Sequence, residues 1–228
     1  MKKITDAVIM PPYEKFLKLG PKTLSEAELL AIILRTGTRN HSALELAGQI
    51  LALFKGREDG LNGLHHISLN ELMKIPGIGE VKAVKLKCIA ELAIRMSKER
   101  ASLSLSFQSP ESVAGYYMET LRHEENEKVL LLLLDNKMQL IEESIVSVGT
   151  VNASLLSTRD LFIKALRCGA SNLMLLHNHP SGDPKPSRQD ILITKKIKEA
   201  GELMDMPLMD HIILGDGSYI SFKEAALL

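Results

Sequence analysis

The chain has 228 residues, of which 45% are hydrophobic, and its 28 basic side chains balance 28 acidic ones. This length and apolar content exclude a disordered chain and favour two folded domains. No apolar run reaches the roughly 18 residues of a membrane-spanning helix, and the first residues lack the apolar segment of a secretion signal. We therefore expect a cytoplasmic protein with no membrane partner.

The first hundred residues are predicted to be helical. Apolar residues recur at helical spacing in four segments, and Ser25 stands before the first as an N-cap. The small, polar stretch 101–110 has low helix propensity, so we place a domain boundary near residue 105 and predict domains 1–104 and 105–228. The four helical segments are 23–34, 42–54, 68–75 and 80–100.

The segment "IPGIGEVKAVKL", which begins at residue 75, joins two of these helices through a glycine-rich turn. It resembles a helix-hairpin-helix over 75–95, in which Gly77 and Gly79 allow a tight turn whose backbone N–H groups meet a DNA phosphate. The basic side chains that follow are Lys82, Lys85 and Lys87. The alternative is a plain helix–helix turn with solvated lysines.

Charge is unevenly divided along the chain. Residues 1–100 carry 16 basic and 11 acidic side chains, and residues 101–228 carry 12 and 17, so the two parts have net charges of +5 and −5. A modest basic excess is typical of a weak, sequence-independent contact with nucleic acid. The split therefore favours DNA contact, if any, through the N-terminal half.

Beyond residue 105 the pattern becomes mixed α and β. We predict strands where apolar residues run or alternate, and helices where they recur at helical spacing between glycine and proline stops. The fold class is therefore α+β, with a helical domain followed by a mixed sheet flanked by helices. The predicted strands are 128–135, 140–149 and 172–179, the helices are 157–169 and 187–204, and 209–222 forms a hairpin.

The stretch "LHNHPSGDPKPSRQD", residues 176–190, carries the main candidate site. On a strand His177 and His179 point to one side, and the proline-rich loop returns the chain to Ser187 and Asp190. Two imidazoles and one carboxylate leave an open fourth position, as in catalytic zinc sites. Ser187 and Asp190 alone also fit a helix capping box. His211 is a possible further ligand, but we interpret it as a packing residue, because it has no second ligand two residues away.

The spacing of His177, His179, Ser187 and Asp190 resembles the zinc signature of JAMM metalloproteases of the MPN fold. With "LSEAELLAIILRTGT" and "IPGIG", the chain resembles the RadC-like family over nearly all of its length. That resemblance implies a helix-hairpin-helix domain, an MPN domain, one zinc ion per chain, and Ser187 as the donor to the oxyanion. The contiguous "HNH" does not fit an HNH nuclease, whose residues are scattered.

The family also places a glutamate just before the first central strand of the MPN domain. Glu127 matches that position and is the implied general base. The rival carboxylates are Glu124, Glu125, Glu142 and Glu143, whose ordinary role is a solvated surface charge.

Three functions remain open at this point. The first is a zinc-dependent peptidase or isopeptidase with an unknown peptide or protein substrate, associated with DNA repair. The second is a DNA-binding accessory protein with a metal-bound scaffold. The third is a docking module without either activity, which a complete ligand set disfavours.

Overall fold

The computed structural model describes residues 10–54, 60–102, 105–149 and 156–228. The chain divides into two compact units, Met1–Ala93 and Ile94–Leu228. This division falls inside a long helix, and the domain boundary near residue 105 stays a prediction. None of the helices in the described ranges combines the length and apolar character needed to span a bilayer.

Three helices of the first unit begin with a capping box. Ser25, Ser42 and Ser68 each accept a hydrogen bond from the backbone N–H three residues on, and the glutamate there caps the serine in return. The four predicted helical segments are confirmed, whereas α1 and α4 were not predicted. The helices are α1 Pro12–Leu19, α2 Glu26–Leu34, α3 Ala43–Leu53, α4 Gly63–His66, α5 Leu69–Met73 and α6 Glu80–Ser102, of which α6 continues past the division.

The second unit is a mixed sheet with helices on both faces, so the α+β prediction is confirmed. A helix that the sequence analysis missed, α7, precedes the sheet; Ser109 caps it and Pro110 occupies its first turn. The remaining elements are α7 Pro110–Leu121, β1 Lys128–Leu134, β2 Leu140–Val148, α8 Thr158–Cys168, β3 Asn172–Asn178, α9 Arg188–Leu203, β4 Leu208–Leu214 and β5 Tyr219–Ser221.

The strand order β2-β1-β3-β4-β5 decides which chain ends meet. β1 is antiparallel to β2 and β3, α9 crosses from β3 to the parallel strand β4, and β5 returns antiparallel. The carboxyl end of β3 therefore lies beside the start of β1, with Val129 opposite His177. Residues that precede β1 and residues that follow β3 are neighbours for this reason.

The inner strand β1 is buried on both faces, which explains its uninterrupted leucines. One set of its alternating side chains packs with α8 and α9, and the other packs with α7. The row on the α8/α9 side contains Val129, Leu131 and Leu133, together with Leu173 and Leu175 of β3. His177 continues this row at the end of β3.

Candidate metal centre

The two histidines at the end of β3 lie side by side, as strand alternation predicts. Their ring centroids are 4.9 Å apart, and the two Nε2 atoms are 3.0 Å apart. His177 is buried, whereas His179 is partly exposed. The Nδ1 atom of His179 lies 2.8 Å from the carbonyl oxygen of Asp183, which can only accept, so Nδ1 carries a proton and the lone pair of the neutral ring is on Nε2.

The loop between β3 and α9 has a defined shape. The Gly182 N–H donates to the His179 carbonyl at 2.9 Å, and Gly182 has φ +82°, a conformation that favours glycine. Its carbonyl accepts from the Asp216 N–H at 2.9 Å, and a side chain at Gly215 would collide with it. The loop is therefore seated on the β4–β5 turn.

Ser187 and Asp190 form the capping box of α9. The Asp190 N–H donates to Ser187 Oγ at 3.1 Å, and the Ser187 N–H donates to Asp190 Oδ2 at 2.7 Å. The same carboxylate lies 3.6 Å from both histidines, with Oδ1 near His177 Nε2 and Oδ2 near His179 Nε2. Capping and a ligand role are thus compatible, because the cap aims the carboxylate at the imidazoles.

Glu127 reaches the same place from β1. It precedes the strand, and its Oε1 lies 3.6 Å from His177 Nε2. Its carbonyl accepts a hydrogen bond from the Gly149 N–H at 2.8 Å, which ties it to the end of β2. The antiparallel register between β1 and β3 accounts for this position, because Val129 lies opposite His177 and Glu127 precedes Val129 by two residues.

Asn178, between the two histidines, also holds this segment, a role that the sequence analysis missed. Its side chain is buried on the opposite face of the sheet. Oδ1 accepts from the Lys128 N–H at 2.9 Å and Nδ2 donates to the Asn126 carbonyl at 3.3 Å, so one amide grips the chain on both sides of Glu127. A buried asparagine ending an apolar strand was the available signal.

The rival carboxylates lie elsewhere. Glu143 accepts a hydrogen bond from the Tyr117 hydroxyl at 2.6 Å, and Glu142 accepts one from Ser144 at 2.9 Å. Glu124 pairs with Lys128 at 2.6 Å, and Glu125 is exposed. Of the glutamates considered, Glu127 is the one that the structure places beside the histidines.

Together these side chains form a group that can hold a metal ion. One ligand atom from each of Glu127, His177, His179 and Asp190 lies within 4.8 Å of the others. Burial lowers the pKa of His177 to about 4, while the Asp190 carboxylate raises the pKa of His179. Burial alone would raise the pKa of Asp190, but its interactions with His179, His177 and Ser187 hold it well below its usual range. His177 and Asp190 are therefore held in the forms that keep their lone pairs, whereas Asp190 favours a positive charge on His179, and a metal ion can supply positive charge at the same place.

Comparison with known proteins agrees with this geometry. The model of the RadC-like JAB domain matches residues 107–227, and that of the UPF0758 N-terminal family matches residues 9–84. The chain belongs to the RadC-like family. The JAB domain is related to metallopeptidases, so the second unit has a JAMM-like metal-binding fold.

Full-length relatives of this RadC-like chain span bacteria and archaea. A UPF0758 protein of Desulforamulus reducens is 43% identical, with 96% of this chain and 95% of the relative covered. A UPF0758 protein of Methanosarcina mazei is 39% identical over 93% of this chain and 91% of its own, and YsxA of Bacillus subtilis is 40% identical over 95% and 92%. These names assign no reaction.

His211 of the RadC-like domain lies directly behind His177. Its ring is buried, stacks on Phe222 at a centroid distance of 4.8 Å, and places Nε2 2.8 Å from His177 Nδ1. It is thus a packing residue, as expected, but one that contacts a candidate ligand through a hydrogen bond. No local sequence pattern predicts that contact, because the two histidines lie on different strands, 34 residues apart.

The glycine-rich turn of the first unit joins α5 to α6. Gly77 has φ +100°, and a side chain there would collide with Thr38, so the turn requires glycine. The Lys82 ammonium donates to the Gly77 carbonyl at 2.9 Å, whereas Lys85 is exposed. Gly79 has open space around it. The helix-hairpin-helix and its DNA contact stay predictions, with Lys85 the best-placed cation of those predicted.

Proposed function

We propose that this RadC-like protein is a zinc-dependent hydrolase of peptide or isopeptide bonds. The observation that carries the proposal is the convergence of Glu127, His177, His179 and Asp190 within 4.8 Å at the junction of β1, β3 and α9. Three of these side chains hold the metal in the proposal, and the fourth handles a proton. The division of labour follows from their surroundings.

The donor set fits zinc. Imidazole nitrogen and carboxylate oxygen are both zinc ligands, and His177, His179 and Asp190 supply three of them. The two Nε2 atoms face each other at 3.0 Å, with the Asp190 oxygens 3.6 Å away. Two imidazole lone pairs at that distance repel unless a proton or a metal ion lies between them. Three protein ligands leave a position for water or substrate, which distinguishes a catalytic from a structural zinc.

Glu127 is the proposed general base. A zinc ion held by the three ligands would supply Lewis acidity and acidify the attacking water. Glu127 accepts the proton of that water while a C–O bond forms at the carbonyl carbon, and passes it to the amine as the C–N bond breaks. The grip of Asn178 on the flanking backbone keeps the carboxylate in reach.

Ser187 is the proposed donor to the oxyanion. Its Oγ accepts the Asp190 N–H, which leaves the hydroxyl proton available, and the residue is exposed at the start of α9. In other enzymes, removal of a donor of this kind costs about 3 to 4 kcal/mol of transition-state stabilisation. The cap and the oxyanion contact use different parts of the hydroxyl.

The metal part of the proposal is tested by zinc content. We expect about one zinc ion per chain for the wild type and none for His177→Ala combined with His179→Ala. His41→Ala, in the first unit, is the matched control, because it removes an imidazole without touching the cluster. Equal zinc in the wild type and the double variant would refute the site.

The hydrolytic part is tested on the zinc-loaded protein. A panel of fluorogenic peptides and lysine-linked isopeptides should contain substrates that the wild type cleaves and the double variant does not. If the loaded wild type cleaves none of them, the second candidate replaces the first: a DNA-binding accessory protein whose metal-bound domain is a scaffold. The exposed Lys85 beside the turn at Gly77 and Gly79 supports weak, sequence-independent DNA contact in that case.

A further inference from the structure

A chain of buried polar groups runs from His177 away from the cluster. His177 Nδ1 lies 2.8 Å from His211 Nε2, and His211 Nδ1 lies 2.6 Å from Thr194 Oγ1. The Thr194 hydroxyl in turn donates to the Asp190 carbonyl at 2.5 Å, one helical turn earlier in α9. His177, His211 and Thr194 are each at most 2% exposed, so these contacts are shielded from bulk solvent.

Only one arrangement of protons satisfies these hydrogen bonds and also leaves His177 able to bind a metal ion. The Thr194 hydroxyl has a single proton and gives it to a carbonyl, so its oxygen must accept from His211 Nδ1–H. His211 Nε2 then accepts from His177 Nδ1–H, which leaves the lone pair of His177 on Nε2, facing His179 and Asp190. The reverse arrangement would put a proton on His177 Nε2 and block coordination there.

We propose that His211, oriented by Thr194, is a positioning residue that fixes the tautomer and ring orientation of His177. The geometry is independent of any metal, but its consequence for zinc rests on the proposed function. It differs from the support of His179, whose Nδ1 faces a carbonyl oxygen that can only accept. A histidine can donate or accept, so His211 alone would leave the tautomer of His177 undecided, and Thr194 removes that ambiguity.

The hydrogen bonds from Thr194 through His211 to His177 form a relay, and substitutions at Thr194 test it with little change in packing. Thr194→Val keeps the shape but removes the acceptor for His211 Nδ1–H, and we expect zinc affinity to fall about 10-fold. Thr194→Ser restores a hydroxyl and should restore the affinity. His211→Phe leaves the buried Nδ1–H of His177 without a partner and should weaken zinc binding by up to about 100-fold. Affinity is measured by competition with a chromogenic chelator.

Ile197→Val is the matched control for packing. Ile197 also lies on α9 and is fully buried in the core that the sheet forms with α8 and α9, but it does not belong to the relay. It should lower the thermal midpoint slightly and leave zinc affinity unchanged. Loss of affinity in Ile197→Val equal to that in Thr194→Val would overturn the relay in favour of a general packing effect.

Nitrogen NMR of the histidine rings in the metal-free protein measures the tautomers directly. His177 and His211 should both show the Nδ1–H tautomer in the wild type and in Thr194→Ser, and His211 should shift to Nε2–H in Thr194→Val. An Nε2–H tautomer for either ring in the wild type overturns the proposal. Because the spectrum needs neither zinc nor substrate, a wild type that binds no zinc would refute the proposed function while the tautomers still decide the relay.

Discussion

The two units use charged side chains in different ways. In the first unit, Lys87 donates to the carbonyls of Leu64, His65 and Ile67 at 2.9 to 3.0 Å and so caps the end of α4. In the second unit, three ligand candidates from β3 and α9 turn lone pairs toward each other. The first use satisfies backbone groups locally, whereas the second brings together side chains that could hold a metal ion. Buried lone pairs that converge, more than charge itself, separate the candidate site from the scaffold.

The largest expected effect separates the proton carrier from the ligands in the second unit. Glu127→Gln should retain zinc and lose hydrolysis of any substrate that the wild type cleaves, by about 100-fold or more if proton transfer limits the rate. Asp190→Asn should instead lose zinc. Metal content and initial rates, measured on the same preparations, distinguish these outcomes.

The rival carboxylates provide the control for that experiment. Glu143 is hydrogen-bonded to Tyr117, and its pairing partner Leu132 lies on the α7 side of the sheet. Glu143→Gln should therefore leave the rate near that of the wild type. If Glu127→Gln hydrolyses normally while Glu143→Gln is inactive, the choice of base is wrong although the zinc site stands.

Local patterns and spacing in the sequence predict four members of the candidate site. His177 and His179 share a face because strands alternate, and the spacing to Ser187 and Asp190 matches a known signature. Placing Glu127 needed the family resemblance, because the carboxylate is 50 residues from His177 and the antiparallel register of β1 and β3 brings them together. No local pattern distinguishes it from Glu124 or Glu125.

The supporting contacts were not predictable for the same reason. Asn178 grips a segment on β1, and His211 is 34 residues from His177 on the parallel strand β4. Both contacts depend on strand order and register, which a single sequence does not encode locally. The helix α7 is a different case, because Ser109 and Pro110 form a local helix-start signal, but they lie in the polar stretch 101–110 that is predicted to be a domain boundary.

A second prediction tests the structural use of charge in the first unit. Lys87→Met keeps the aliphatic stem but leaves three carbonyls without their charged donor, so the free energy of unfolding should fall by about 2 kcal/mol. Lys85→Met, two residues earlier and exposed, should change it by less than about 0.5 kcal/mol. Urea titration followed by circular dichroism measures both, and equal stability of the two variants would contradict the structural role of Lys87.

The smallest effect concerns DNA, where the same lysines are compared again. Lys82 and Lys87 are engaged with backbone carbonyls, so Lys85 is the predicted phosphate contact. Lys85→Glu should weaken binding of a labelled duplex only a few-fold and reduce the salt dependence of the binding constant by about one phosphate contact, because fewer counterions are released. Fluorescence anisotropy across a salt series measures this.

Lys185→Glu, in the exposed loop before α9, is the control of equal charge change. Binding that Lys185→Glu weakens and Lys85→Glu does not would move any DNA contact from the helical unit to the metal centre.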